Sequence, residues 1–232
     1  MIAAVVNATT VLVGSIIGIL FKKGISEKLS DAIMKVMGLI TILIGVQSAI
    51  KTENVLCVIM CLVVGTVIGE GLRIDDGINK LGDWVKTSVV KGGKGMGRFT
   101  EGFVSTCILF CVGSMTILGS LEAGINHDYS IIFAKSTMDF ISSIVFSAAM
   151  GVGVMFTSVF VLVFQGGLTL LASSLSNVLT EAVVTEMSAV GGVILIGMAI
   201  NILGLAKKDI KVSNMLLAIF LPAAYLGVAS LF

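Results

Sequence analysis

Apolar residues run along this chain in long blocks separated by short polar links. Residues 2–21 carry no side-chain charge, and similar runs follow at about 33–50, 54–71, 101–121, 131–149, 153–173, 186–205 and 213–232. A helix needs about 20 mostly apolar residues to cross ~30 Å of hydrocarbon. Each run therefore predicts one spanning helix, about eight in all. The uncharged stretch from Phe140 to Thr180 is too long for one helix, and the "GVGV" at 151–154 is the place to fold it into a hairpin. Ten-residue alternating segments, the mark of a transmembrane barrel, do not occur. The pattern predicts an all-α polytopic membrane helix bundle, a single integral membrane domain over residues 1–232.

Composition agrees. The 232 residues are 56% hydrophobic and 12% charged, where soluble domains are about a quarter charged. Mean hydropathy is +1.10. A net charge of +1 gives no global field for nucleic acid. The placement of charge says more. The links after spans one, three and seven, with Lys35 beside the first, hold 13 of the 15 Lys and Arg residues. In an eight-span chain these links share one side. The positive-inside rule makes that side cytoplasmic and puts both termini outside. The first run lacks a basic leader and is followed by Lys22 and Lys23, so it reads as a permanent span and not a cleaved signal.

The link at 72–100 has its own pattern. Ile74, Ile78, Leu81, Val85 and Val89 recur at helical spacing beside Trp84, which predicts a cytoplasmic amphipathic helix lying in the interface. The following "KGGKGMGR" lacks the phosphate-loop pattern G-x-x-x-x-G-K-[ST] and reads as a basic linker touching anionic lipid.

Enzyme chemistry finds little support. The predicted spans contain no histidine and one clear aspartate, Asp139, so a Ser–His pair, an aspartate dyad and an H-E-x-x-H site are all missing. Cys57 and Cys61, like Cys107 and Cys111, are i,i+4 pairs that read as small packing residues and not as a metal site. His127 lies in a short outer loop with Glu122 and Asp128, a weak ligand set. The expectation is no catalytic residue, no metal and no cofactor.

The stretch "FAKSTMDFISS" at 133–143 is different. Lys135 and Asp139 lie inside a span at i,i+4 and share a helix face with Ser142 and Ser143. A central Lys or Asp costs about 2.5–3.5 kcal/mol to insert and usually faces the protein interior. Gly113, Ser114, Thr116 and Gly119 fall mid-span, where a broken helix exposes backbone groups; Gly166 and Gly167 are a second candidate break. Transporters place such breaks beside their binding sites. The candidate substrate-binding set is Asp139, Lys135, Ser142, Ser143, Ser114, Thr116, Gln165 and Asn201. Gly14 with Gly18, and Gly65 with Gly69, form GxxxG faces for close packing. Those faces and the small size of the chain suggest a homodimer or larger homo-oligomer. A gapless offset of 154 pairs Ser26 and Glu27 with Thr180 and Glu181, and Gly38 with Gly192. It would relate spans one to three to spans six to eight as an inverted repeat.

Five blocks carry a resemblance: "GEGLRIDDGINKLGDW" at 69–84, "EGFVSTCILFCVGSMTILGSLEAG" at 101–124, "KSTMDFISS" at 135–143, "QGGLTLLASSL" at 165–175 and "NMLLAIFLPA" at 214–223. In order and spacing the chain resembles the bacterial membrane family called domain of unknown function 554, the YdfK-like proteins. The resemblance implies a bacterial inner-membrane protein of a kind described as transport proteins. It implies no substrate and no site residues.

Taken together, the expected function is a small secondary transporter or channel for an unidentified ion or small polar solute. The alternative is a non-transporting membrane scaffold or sensor whose polar residues only pack helices. A water-accessible cavity at Asp139 would favour the first, and a dry, fully paired core the second.

Overall fold

The computed structural model describes residues 1–22, 27–88, 99–111 and 113–229, and every regular element among them is helical. In chain order these are α1 (Ile2–Lys22), α2 (Glu27–Ala49), α3 (Val55–Leu72), α4 (Ile74–Ser88), α5 (Phe99–Cys111), α6 (Ser114–Ile125), α7 (Ser130–Met150), α8 (Val152–Leu170), the short α9 (Ala172–Leu175) and α10 (Glu181–Ile202). A 3-10 helix (Val212–Phe220) and α11 (Leu221–Ala229) follow. The chain is an all-α polytopic helix bundle. The basic stretch at 91–98 and the aligned Ser26 lie outside the described residues.

Among the described residues, six helices are long and apolar enough to cross a membrane: α1, α2, α3, α7, α8 and α10. The remaining two runs depart from simple spans. The run at 101–121 is broken after Cys111, and α5 and α6 meet at 57°. The run at 213–232 opens as a 3-10 helix instead of an α-helix. The 3-10 rise of ~2.0 Å stretches its nine residues, so with α11 the contour reaches about 31 Å, close to the hydrocarbon thickness. The expected break at Gly166 and Gly167 does not form; α8 runs through both. An interrupted ladder there would leave backbone groups unpaired in lipid, at several kcal/mol each. Gly151, at φ 85, makes the α7–α8 hairpin, a conformation that favours glycine.

Small residues set the pairings. A Cβ on Gly14 would fall 2.1 Å from Ser143 Oγ, and one on Gly18 would fall 2.2 Å from the Ile144 carbonyl oxygen. Hence α1 lies directly on α7. Gly65 and Gly69 seat α3 on the 3-10 helix in the same way, against Ala218 and Asn214. Both GxxxG faces are therefore filled inside the chain. Helix α10 is the most buried of the long apolar helices: 72% of its most apolar 18-residue window is buried, against 28% in α2 and in α3, whose Leu43, Val46, Val63 and Val67 stay exposed.

The ends of the bundle can be sorted. Asp31 and Lys35 near the start of α2, Asp75 and Asn79 of α4, Glu101 of α5, and Asp209 and Lys211 after α10 line one cavity. The described ends of the links after α1, α3 and α10 thus meet at one end. At the opposite end the α2–α3 turn meets α10: buried Glu186 accepts from Thr52 Oγ1 at 2.6 Å, Glu53 N at 2.9 Å and Asn54 N at 3.1 Å.

Candidate functional site

The site is built on α7, whose buried face carries Ile132, Lys135, Ser136, Asp139, Ser143 and Phe146. Asp139 sits near the middle of this 21-residue helix, with Lys135 one turn before it. Their relative exposures are 6% and 5%, so neither reaches the helix surface. Lys135 Nζ donates to Asp139 Oδ2 and lies 5.6 Å from the centre of the Phe110 ring on α5. From α1, fully buried Asn7 donates Nδ2 to Asp139 Oδ2 at 3.0 Å. The same nitrogen donates to Gln165 Oε1 of α8, also at 3.0 Å. One polar cluster therefore joins α1, α7 and α8, with the α5 ring against it.

The chemistry orients the amides. Only the NH2 of Asn7 can face the carboxylate, because a carboxylate accepts and does not donate. Gln165 must then turn its oxygen to Asn7, which leaves its Nε2 buried without a partner. Ser120 Oγ on α6 is also buried and unpartnered. Gly124 of α6 packs on the Thr169 carbonyl of α8. One turn back along each helix sets Ser120 level with Gln165. The cluster is enclosed but not fully paired, which matches neither of the two simple cases.

Breaking α5 from α6 costs the Phe110 carbonyl its usual i+4 donor, Ser114. Thr116 Oγ1 replaces it, donating to Phe110 O at 2.7 Å across the break. Thr116 is thus the brace of the broken span. Ser114 begins α6 and is half-buried. Ser143 Oγ donates to Phe140 O at 2.8 Å and packs on Gly14, and Ser142 is half-buried. Asn201 lies elsewhere. Its Nδ2 donates to Ile210 O at 2.8 Å and its Oδ1 accepts from Ile210 N at 2.9 Å, holding the link after α10 at the basic end. Of the expected set, the structure brings together Lys135, Asp139 and Gln165, sets Thr116 across the α5–α6 break, and separates Asn201.

Asn7 is the member that residue-by-residue reading missed as a ligand; a lone Asn two turns into an uncharged span was its signal. Glu186 was missed because the predicted span began there, whereas α10 starts five residues earlier, capped by Thr180, whose side chain accepts from Val183 N. Glu70 also joins a network, accepting from Asn214 Nδ2, while Asn214 Oδ1 accepts from Asp75 N at 2.7 Å.

Two cavities approach the site along α5. The first is the vestibule of about 570 Å³ at the basic end. The second, about 270 Å³, is apolar throughout and includes Cys107, Ile108, Cys111 and Phe164 in its lining. Val104 lines both. Lys135 and Asp139 line neither.

The family description "Protein of unknown function (DUF554)" matches residues 2–226. The chain belongs to this family. It is 28% identical over 236 residues to "Uncharacterized membrane protein YdfK" of Bacillus subtilis, covering 100% of this chain and 98% of the relative. It is also 28% identical over 226 residues to "Uncharacterized protein YqgA" of Escherichia coli, covering 93% of this chain and 92% of that relative. No solved structure matches it. A family relative is named as a membrane protein, and six apolar helices are long enough to span, so this member of the family is a membrane protein.

Proposed function

We propose that this protein is a small secondary transporter or channel that moves an ion or small polar solute through the Asn7–Lys135–Asp139–Gln165 cluster. The observation that carries the reading is the unpartnered Gln165 Nε2 beside a buried ion pair next to a broken span. Each such group costs about 1–3 kcal/mol, a cost that a bound polar solute would offset at Gln165; Ser15 Oγ, two turns on from Asn7 along α1, is buried and unpaired as well. The structure then corresponds to an occluded state. In this reading the vestibule is the access from the basic end, with Val104 lining both it and the apolar cavity along α5.

In this reading the protein sits in the bacterial inner membrane with its basic links in the cytoplasm and both termini outside. Helix α4 lies in the cytoplasmic interface, and spans one to three and six to eight form an inverted repeat. The protein performs no catalysis and assembles as a homodimer or larger homo-oligomer. With both GxxxG faces used internally, the assembly would rest on other surfaces.

One observation favours the scaffold reading: the ion pair lines neither of the cavities along α5. Reconstitution separates the two. Purified wild type and the double variant Lys135→Met with Asp139→Leu are placed in liposomes, and uptake of a panel of monovalent cations, anions and neutral polyols is followed. Transport predicts uptake of one class by wild type and none by the double variant. Uptake by neither supports the scaffold; equal uptake by both makes the pair a structural brace and puts the path elsewhere.

A further inference from the structure

We infer that the solute of this site carries a small primary ammonium group, and that Lys135 is a tethered stand-in for it. This deepens the transport reading and rests on it. The cluster already holds an ammonium. Lys135 Nζ is bonded to the Asp139 carboxylate and lies 5.6 Å from the centre of the Phe110 ring. A carboxylate and an aromatic ring together favour a compact cation. An anion would have to enter between Lys135 and Asp139 and face the carboxylate.

The tether is built to let go. Helical side chains lean toward the N-terminus of their helix. Lys135 instead reaches C-terminally to Asp139, in the less favourable order of charge for an i,i+4 pair. Extended along its natural lean, its long stem points toward the start of α7, near Asp128 and five residues before Lys135 at Ser130. A lysine there can snorkel to the interface. When a free ammonium takes Asp139, Lys135 therefore has a place to go, and the site keeps one cation on its carboxylate. Asn7 donates to the same Oδ2 as Lys135, and it keeps that bond when the free ammonium replaces Lys135 there.

The test uses the full chain in detergent and methylammonium as the probe, read by thermal shift with K⁺ and tetramethylammonium at equal ionic strength. Wild type is expected to show a saturable rise in Tm with methylammonium alone. Lys135→Met removes the tethered competitor and is expected to tighten methylammonium at least about tenfold, because the competent fraction rises. Phe110→Leu keeps every charge in place and is expected to weaken methylammonium several-fold. If Lys135→Met folds only when methylammonium is present, that dependence supports the inference; failure to fold at every concentration overturns it. An equal shift with K⁺ or tetramethylammonium also overturns it. Asp139-dependent uptake of an anion or neutral solute without methylammonium binding removes the inference and leaves transport standing. Methylammonium binding without its movement into liposomes keeps the site and removes transport.

Discussion

Asn7 on α1 donates to Asp139 on α7 at 3.0 Å, across 132 residues of sequence. This bond ties the first helix of the chain to a charged acceptor near the middle of α7. The same amide reaches Gln165, so one side chain holds three helices in register.

Asn7→Leu keeps about the same bulk and removes both bonds. Polar contacts between membrane helices average about 0.6 kcal/mol, and an orphaned buried partner adds about 1–3 kcal/mol. The expected loss is about 2 kcal/mol, measured by unfolding in mixed micelles. Asn7→Asp should be worse, since it sets a second carboxylate against Asp139. Wild-type stability in Asn7→Leu would show that the bridge contributes nothing.

Gly69 and Gly71 form an internal control two residues apart. A Cβ on Gly69 would fall 1.9 Å from the Asn214 carbonyl oxygen, whereas one on Gly71 would meet nothing within 4 Å. Gly69→Ala should push the 3-10 helix from α3 and disturb the Glu70–Asn214 bond, with a loss of about 1–3 kcal/mol. Gly71→Ala should be neutral or stabilise by up to about 1 kcal/mol through helix propensity. Matching effects of the two would mean that α3 does not pack on the 3-10 helix as described.

Orientation can be read with single cysteines in a background lacking the four native ones. Introduced at position 91, in the basic link after α4, a cysteine should resist an impermeant maleimide added to intact cells. Introduced at position 127, in the α6–α7 turn, it should react. Position 91 labelled from outside would reverse the assignment of the basic end to the cytoplasm.

The helical bundle was legible because lipid leaves few choices. Long apolar runs must satisfy their own backbone, and Gly113 and Gly151 announced a break and a hairpin. The polar site was only half legible. Lys135 and Asp139 are four residues apart, so their pairing follows from helix geometry alone. Nothing local shows that Asn7 faces Asp139 and that Asn201 does not. Those depend on which helices touch, and small residues such as Gly14 and Gly18 decide that through close approach.

The sequence by itself determined a membrane helix bundle, six of its eight expected spans and the pair at its centre. The reason is that hydropathy, charge and i,i+4 spacing act over a single helix. Tertiary structure alone decided that Asn7 and Gln165 complete the cluster and that Thr116 braces the break. It alone decided that Glu186 holds the α2–α3 turn while Asn201 serves the far end. A polar side chain in lipid must find a partner, but its partner is set by the packing of helices that are distant in sequence.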